Sequence, residues 1–383
     1  MPYLVAVPIL IALVVVTELV FRARNRRLGY FVLQAYSRLR LKLDREILPD
    51  LEPEVRIHVN ADGERGGPSP GTDVYRVPVV GGSAAECYLL DQDSQWPSVI
   101  ERRLNEPQSL ATLGETRVHV GNISRSLVNC DYLTMIMGKV LDRFARLDTV
   151  ITFVGASDVV AWLEAGTPAT IDKPVHSMDY AFNDHPQATF GWSPKRTATW
   201  RQVGRVQRKL MRPEDVRENV GRRIGKNRTM RAAATTLIDE VPDPAPMVAY
   251  FEEHFRRMIL AAQARAKRVL VVRQPWFEKE FTAEENARLW NFGKGRPYER
   301  ELDTYYTHRV VAALMRAVDE AGSRVARDMG VEQLDLMPVL ERSFDTYYDF
   351  LHFTPKGAEA VGNAVAAAIL RETPKQADGA GSS

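Results

Sequence analysis

The stretch "VPVVGGSAAE" (77–86) contains the first strand-and-turn pattern of the chain's main repeat of strands and helices. A run of β-branched residues ends in two glycines and a serine, which is the pattern of a buried strand that turns sharply. Four more short runs of this kind follow, and helical patterns follow most of them. The strand patterns are Val77–Val80, Arg117–Val120, Thr149–Val154, Val269–Val272 and Val331–Leu336, and the helical patterns are 95–105, 127–146, 302–328 and 356–371. Strands that alternate with helices predict an α/β fold, with helices on both faces of a parallel sheet.

Polar residues follow several of these strands, at the edge where a parallel sheet binds ligands. Ser83 comes after the first strand, and Asp349 and His352 lie in the turn ahead of the last helix. A serine hydroxyl is a weak nucleophile until an imidazole accepts its proton, and a carboxylate beside the imidazole fixes its tautomer. We therefore predict Ser83 as nucleophile, His352 as general base and Asp349 as the orienting acid. Thr354 is the expected N-cap of the last helix, where it would hold the histidine loop.

Three blocks of the sequence resemble the SGNH hydrolases of the GDSL-type esterase superfamily. The blocks are "VVGGSAAECYLLDQDSQWPSVIERRLN" (79–105), "VGASD" (154–158) and "DFLHFTPKGAEAVGNAVA" (349–366). The stretch "VNADGERGG" (59–67) also resembles a lead-in common in this superfamily. The resemblance implies a flavodoxin-like three-layer α/β/α sandwich with a parallel sheet of about five strands. It also implies a Ser–His–Asp triad, which falls here on Ser83, His352 and Asp349.

The resemblance further implies an oxyanion hole, the set of donors for the charged oxygen of an acyl-transfer intermediate. Its donors would be the N–H of Ser83, a backbone N–H of the loop after the second strand, and a side chain of the "VGASD" block. The backbone donor falls on Ser124 or, in another spacing, on Gly121. The side chain is Asn in the family and Ser157 here, a shorter donor. Because losing one donor lowers turnover on the order of 10²–10³-fold, Ser157 weakens the case for a fast hydrolase.

The predicted function is a serine esterase that cleaves or transfers O-acyl groups through an acyl-Ser83 intermediate. O-Acetyl is the expected group, carried by a carbohydrate or a lipid. Hydrolase and acyltransferase share the covalent step, so the sequence leaves both open. The alternative is a non-catalytic, membrane-anchored binding or scaffold protein that keeps the fold, which Ser157 favours. No Cys/His spacing indicates zinc and no Gly-rich loop ends in Lys-Ser/Thr, so no metal or cofactor is expected.

The segment "YLVAVPILIALVVVTELVF" (3–21) is apolar almost throughout and has the length that a helix needs to cross a bilayer. It has no basic region ahead of it and no small-residue cleavage pattern behind it, which favours a single-pass anchor over a cleaved signal peptide. A buried core helix is the other alternative. Arginines follow the run and none precedes it, so the positive-inside rule leaves the bulk of the chain in the cytoplasm. A catalytic domain on the exported side is the alternative location.

Charge is distributed unevenly along the 383 residues, whose formal net charge is only +2. Residues 195–231 hold 13 Lys and Arg against three acidic residues. This composition predicts a solvated helical face or attraction to anionic lipid headgroups. Nucleic acid is an unlikely partner, because few aromatic side chains lie there for base stacking.

The predicted organisation follows from these shifts in composition. It comprises a transmembrane anchor (1–22), a juxtamembrane amphipathic segment and connector (23–73), a hydrolase domain (74–372) with a basic helical insertion at about 160–265, and a disordered tail (373–383).

Overall fold

The computed structural model describes residues 2–172 and 176–371, so the predicted disordered tail (373–383) lies outside the described residues. The strands are β1 (Arg38–Leu43), β2 (Glu54–His58), β3 (Tyr75–Gly81), β4 (Val118–Asn122), β5 (Thr149–Phe153), β6 (Asp215–Val220), β7 (Thr236–Ile238), β8 (Arg268–Arg273), β9 (Thr304–Tyr306) and β10 (Glu332–Asp335). The α-helices are α1 (Pro2–Asn25), α2 (Ser83–Glu86), α3 (Trp96–Leu104), α4 (Pro107–Leu113), α5 (Cys130–Val140), α6 (Ala156–Glu164), α7 (Met178–Ala181), α8 (Ala198–Met211), α9 (Arg222–Ala232), α10 (Ala245–Gln263), α11 (Ala283–Ala287), α12 (His308–Asp328) and α13 (Pro355–Leu370).

The five β-branched runs of the sequence form one sheet, in the order β10-β8-β5-β3-β4. Every neighbouring pair in it is parallel. All five positions of β5, the central strand, are buried, because helices cover both faces. One hydrophobic core includes α5, α6, α10 and α12, and the other includes α3 and α13. The predicted α/β/α sandwich with a five-stranded parallel sheet is therefore confirmed.

Helix α13 is rich in small residues and lies close against α3. A Cβ added to Gly362 would lie 2.5 Å from Val99 Cβ and 2.9 Å from the carbonyl oxygen of Trp96. Both distances are far below van der Waals contact, so only glycine fits there.

We expect Gly362→Val to lower the free energy of unfolding by about 1–3 kcal/mol, because the new side chain must push α13 and α3 apart. Gly138 in α5 is the matched control, since nothing lies within 4 Å of its Cβ position. Gly138→Ala should be neutral or stabilise the protein by about 0.5–1 kcal/mol. Urea unfolding in detergent, followed by circular dichroism, measures both variants. An unchanged unfolding midpoint in Gly362→Val would contradict the close packing.

A smaller sheet joins the N-terminal segment to the insertion. Its order is β2-β1-β6, with β1 antiparallel to β2 and parallel to β6. The predicted juxtamembrane amphipathic segment (23–73) is therefore corrected: its "RLRLKL" stretch is a strand built into the body, with Leu41 and Leu43 buried. The alternation of Leu with Arg and Lys has the period of two that a half-buried strand shows.

The connector and the insertion also differ from the prediction. Glu64 and Arg65, within the predicted connector, are 0% and 2% exposed and belong to the α/β body. The region 160–265 is not purely helical, because it contains β6 and β7. Its last part, α10, is a core helix that buries apolar side chains against the main sheet. The inserted part therefore ends before α10, whose apolar residues recur at helical spacing.

Helix α1 has the length and composition of a membrane-spanning helix. The segment Ala6–Asn25 covers 20 residues, and its most apolar window has a mean hydropathy of 2.2 and is 6% buried. Across residues 2–172 and 176–371 no other helix meets these criteria. The low burial does not fit the core helix that the sequence left as an alternative. That α1 anchors the protein in a membrane, and is not removed as a signal peptide, stays a prediction.

Candidate active site

Ser83 is the first residue of α2 and is separated from the carboxyl end of β3 by Gly82 alone. Gly82 and Gly81, the last residue of β3, allow a close approach to neighbouring elements. A Cβ on Gly81 would lie 2.5 Å from the carbonyl oxygen of Phe153, and one on Gly82 would lie 2.6 Å from Ser157 Oγ. At the first position of the helix, the Ser83 N–H has no acceptor among the described residues. The turn therefore presents both the hydroxyl and a free N–H at the sheet edge.

The loop between β10 and α13 brings Asp349 and His352 to the same edge. His352 Nε2 lies 2.7 Å from Ser83 Oγ, although the two residues are 269 positions apart in the chain. His352 Nδ1 lies 2.9 and 2.8 Å from the two carboxylate oxygens of Asp349. Thr354 Oγ1 accepts the N–H of Gly357 and caps α13, as the sequence indicates. The structure thus places the three predicted residues in one hydrogen-bonded chain.

The protonation of this pair is set by burial and by mutual charge. Burial alone would raise the pKa of Asp349, but the charge of His352 and hydrogen bonds outweigh it and hold that pKa below its ordinary value. Two of these hydrogen bonds come from the backbone N–H groups of Leu351 and His352, which donate to Asp349 Oδ1 at 2.8 and 2.9 Å. Burial alone would lower the pKa of His352, but the charge and hydrogen bond of Asp349 raise it above the ordinary 6.5. The imidazole is thereby made a better proton acceptor.

The predicted donors in the loop after β4 do not serve the site. Ser124 is 0% exposed, and its N–H donates to Asn122 Oδ1 at 3.0 Å. Gly121 lies within β4, where a Cβ would collide with the carboxylate of Glu64. This part of the oxyanion prediction is therefore corrected, because Ser124 is engaged within the protein and Gly121 lies inside the sheet.

Ser157 lies beside the nucleophile position, at the second residue of α6. With Ser83 and Gly82 it lines a cavity of about 10 Å³ that Leu133, Gln274 and Leu351 complete. The Ser157 hydroxyl lies against Gly82 in this lining, 2.6 Å from where a Cβ on Gly82 would be, so it is placed to donate to an oxygen bound beside Ser83. The donors available near Ser83 are thus its own N–H and Ser157.

We expect Ser157→Ala to lower kcat on the order of 10²-fold, which is typical for loss of one oxyanion donor. Ser157→Asn should keep or raise kcat, because the longer amide restores the donor found in the resembling family. Steady-state kinetics on an aryl acetate measures both. Unchanged turnover in Ser157→Ala, or a collapse in Ser157→Asn, would show that this side chain does not face the reacting oxygen.

Arg65 positions the segment after Ser83, a role that the sequence analysis missed. Its guanidinium donates to the carbonyl oxygens of Glu86, Cys87 and Leu90 at 2.9, 2.8 and 2.6 Å. Burial lowers the pKa of Arg65. These bonds fix the chain that leaves α2 and so hold Ser83 in place. The one sequence signal was its position inside the "VNADGERGG" block.

A cleft of about 550 Å³ opens at the end of α2, three residues beyond Ser83. Its lining includes Glu86, Tyr88 and Tyr180, together with Leu39 of β1 and Asp215 of β6. The small sheet therefore contributes to the lining of the cleft. The described residues include no group of His, Cys, Asp and Glu arranged to hold a metal ion.

No family model matches the chain, and no curated protein matches its sequence. Among solved structures, 72 chains match. The chain is similar to GDSL-type lipolytic hydrolases. A lipase/acylhydrolase from Enterococcus faecalis is 15% identical, with a TM-score of 0.39 and coverage of 79% of this chain and 100% of that one. A G-D-S-L family lipolytic protein from Veillonella parvula is 7% identical, with a TM-score of 0.41 and coverage of 78% and 100%.

An acetylxylan esterase from Geobacillus stearothermophilus is 11% identical, with a TM-score of 0.39 and coverage of 79% of this chain and 98% of that one. All three similarities are distant. The case for a particular activity therefore depends on the geometry around Ser83.

Proposed function

We propose that the chain is a serine esterase that cleaves or transfers short O-acyl groups through an acyl-Ser83 intermediate. The observation that carries the proposal is the 2.7 Å contact between Ser83 Oγ and His352 Nε2, with Asp349 on the opposite ring nitrogen. A serine activated by an oriented imidazole is the arrangement that acyl transfer requires, whatever the fold.

The proposed first step is attack of Ser83 Oγ on the ester carbonyl carbon, while His352 Nε2 accepts the hydroxyl proton. The charged oxygen of the tetrahedral intermediate is held by the Ser83 N–H and Ser157. The intermediate then releases the alcohol, which takes the proton from His352, and leaves acyl-Ser83. Water or an acceptor hydroxyl, activated by the same imidazole, attacks the acyl group and regenerates Ser83.

The small cavity beside Ser83 favours a short acyl group. Its volume of about 10 Å³ is close to the minimum that admits one water molecule, and a methyl group is of similar size. We therefore propose acetyl as the acyl group. The cleft beyond α2 would hold the alcohol portion, and its tyrosines, arginines and Asn183 suit a hydroxyl-rich carbohydrate, with a lipid alcohol as the alternative.

We expect Leu351→Ala to widen this cavity and to shift the kcat/KM ratio of butyrate to acetate esters by about 10-fold towards butyrate. Leu351 lines the cavity and is 3% exposed. Leu314→Ala is the matched control, because it removes the same atoms from a buried site on α12 outside the cavity. Kinetics on p-nitrophenyl esters measures the ratio. An equal shift in both variants, or no shift in Leu351→Ala, would contradict the assignment of the cavity to the acyl group.

We also propose that α1 anchors the protein in a membrane, with the body on the cytoplasmic side. Support comes from its apolar length and from Arg22, Arg24, Arg26 and Arg27 at its carboxyl end.

The experiment that tests the function is an activity screen of the full chain in detergent. The substrates are aryl acetates, acetylated oligosaccharides and long-chain acyl esters, each with Ser83→Ala as control. Hydrolysis of a short ester that depends on Ser83 supports the esterase. No Ser83-dependent turnover on any class would favour a non-catalytic binding or scaffold protein.

A further inference from the structure

Helix α8 exposes a continuous apolar face, defined here as Trp200, Val203, Val206, Leu210 and Met211. These side chains are 53–73% exposed. Most of them recur three or four positions apart, so they share one side of the helix. Large exposed apolar patches on a folded protein mark a surface that binds something. The α8 apolar face lies outside the proposed catalytic site.

The amino end of α8 is attached directly to α1. Glu18 of α1 accepts the N–H groups of Ala198 and Thr199, each at 2.9 Å, and the Thr199 hydroxyl at 2.8 Å. Glu18 also pairs with Arg22 at 2.7 Å and is only 2% exposed. Because these bonds cap α8, its position is fixed relative to the end of the candidate membrane-spanning helix.

The two helices enclose an open groove of about 860 Å³ that continues the apolar surface of α1. Phe21 and Leu28 form one wall, and Val203, Val206 and Leu210 form the other. The groove begins where the apolar run of α1 ends, which is the level at which a membrane-spanning helix leaves the hydrocarbon layer.

The charged residues of this groove are all cationic. Arg24, Arg205 and Lys209 line it, and no acidic residue does. None of the three forms an ion pair with a carboxylate of the described chain. Two exposed tryptophans lie on or against the helices that form it: Trp192, 60% exposed, stacks with Arg22 of α1, and Trp200 of α8 is 55% exposed. Tryptophan and unpaired cations beside an apolar face are the composition of a surface that meets lipid headgroups.

We propose that the α8 apolar face and its groove bind the surface of an anionic phospholipid bilayer. The apolar side chains enter the boundary between headgroups and acyl chains, and Arg24, Arg205 and Lys209 contact the lipid phosphates. Each well-placed cation strengthens such binding about five-fold, the equivalent of about 1 kcal/mol. This docking would hold the body against the bilayer at the end of α1, and it does not depend on the proposed esterase activity.

The test places a fluorescent reporter on α8 in the full chain, reconstituted in vesicles. Leu210→Cys and the matched control Leu260→Cys, on the exposed side of α10, are labelled with nitrobenzoxadiazole. The native Cys87 and Cys130 are 6% and 0% exposed and should not react. The vesicles contain phosphatidylcholine alone or with phosphatidylglycerol, and some carry nitroxide-labelled acyl chains.

We expect the label at 210 to shift to shorter wavelength and to lose emission to the nitroxide, and the label at 260 to do neither. The loss should be greater with phosphatidylglycerol, and Arg24→Glu combined with Lys209→Glu should remove that difference. Equal access of aqueous iodide to both labels in vesicles would overturn the proposal. A wavelength shift in lipid-free detergent that grows with protein concentration would also overturn it, because it would assign the face to a second copy of the chain.

Discussion

Ser83→Ala should reduce turnover of an aryl acetate on the order of 10⁶-fold, to the level that binding alone provides. The reason is that the Ser83 hydroxyl lies 2.7 Å from Nε2 of His352, the proposed general base. Alanine is well suited to the first turn of α2, so the fold should be unaffected. Initial rates at saturating substrate, together with an unfolding curve, measure both effects.

Three further variants test whether the loss of turnover in Ser83→Ala is specific to the proposed Ser83–His352 pair. His352→Ala should lose as much turnover as Ser83→Ala, and the double variant should lose no more, because the two residues act as one unit. Ser109→Ala, on helix α4 outside the site, should keep full activity. Substantial turnover in Ser83→Ala would refute the proposed nucleophile, and additive losses in the double variant would refute the shared role.

Asp349→Asn should lower kcat on the order of 10⁴-fold and move the acid limb of the pH profile to lower pH. His352 must be neutral to accept a proton, so activity falls as the pH drops through its pKa, which lies above 6.5 in the native protein. The carboxylate of Asp349 causes that elevation. Without it, burial, which lowers the pKa of His352, outweighs the remaining charge of Glu86, which raises it.

The pH dependence of kcat/KM in Asp349→Asn and the native protein measures the shift. Asparagine retains an oxygen that can accept the N–H groups of Leu351 and His352, so the loop should keep its shape. An unchanged unfolding midpoint checks this. An acid limb that stays in place, or moves to higher pH, would contradict the electrostatic role of Asp349.

The main sheet was predictable because its strands carry their own signal. Runs such as Thr149–Phe153 are apolar or β-branched throughout, as expected for strands buried on both faces. Parallel strands place their carboxyl ends at one edge of the sheet. This rule predicts that Ser83 and His352 lie close together although they are far apart in the sequence.

The small sheet was not predictable in the same way. Strand β6 is largely exposed and reads "DVRENV", with little apolar pattern of its own. The alternation in β1 indicates a strand, but nothing in either sequence identifies its partner, which lies more than 170 positions away. Tertiary context decides such edge strands.

Individual hydrogen bonds explain where the structure around Ser83 differs from the sequence-based prediction. The Asn122 side chain takes the Ser124 N–H, and no sequence pattern reveals which backbone donor a nearby amide will satisfy. Arg65 is similar: charged residues are rarely buried, and its burial is understandable only once three carbonyl oxygens are seen to surround it. The residues of the proposed catalytic chain were therefore easier to predict than the residues that position them.

The most direct test of the proposed catalytic chain is the site of covalent modification by a fluorophosphonate, which reacts with activated serine hydroxyls. After treatment of the full chain and proteolysis, mass spectrometry should find one adduct, on the peptide that contains Ser83, and His352→Ala should prevent its formation. An unmodified Ser83, or an adduct on another serine that survives in His352→Ala, would contradict the proposed catalytic chain.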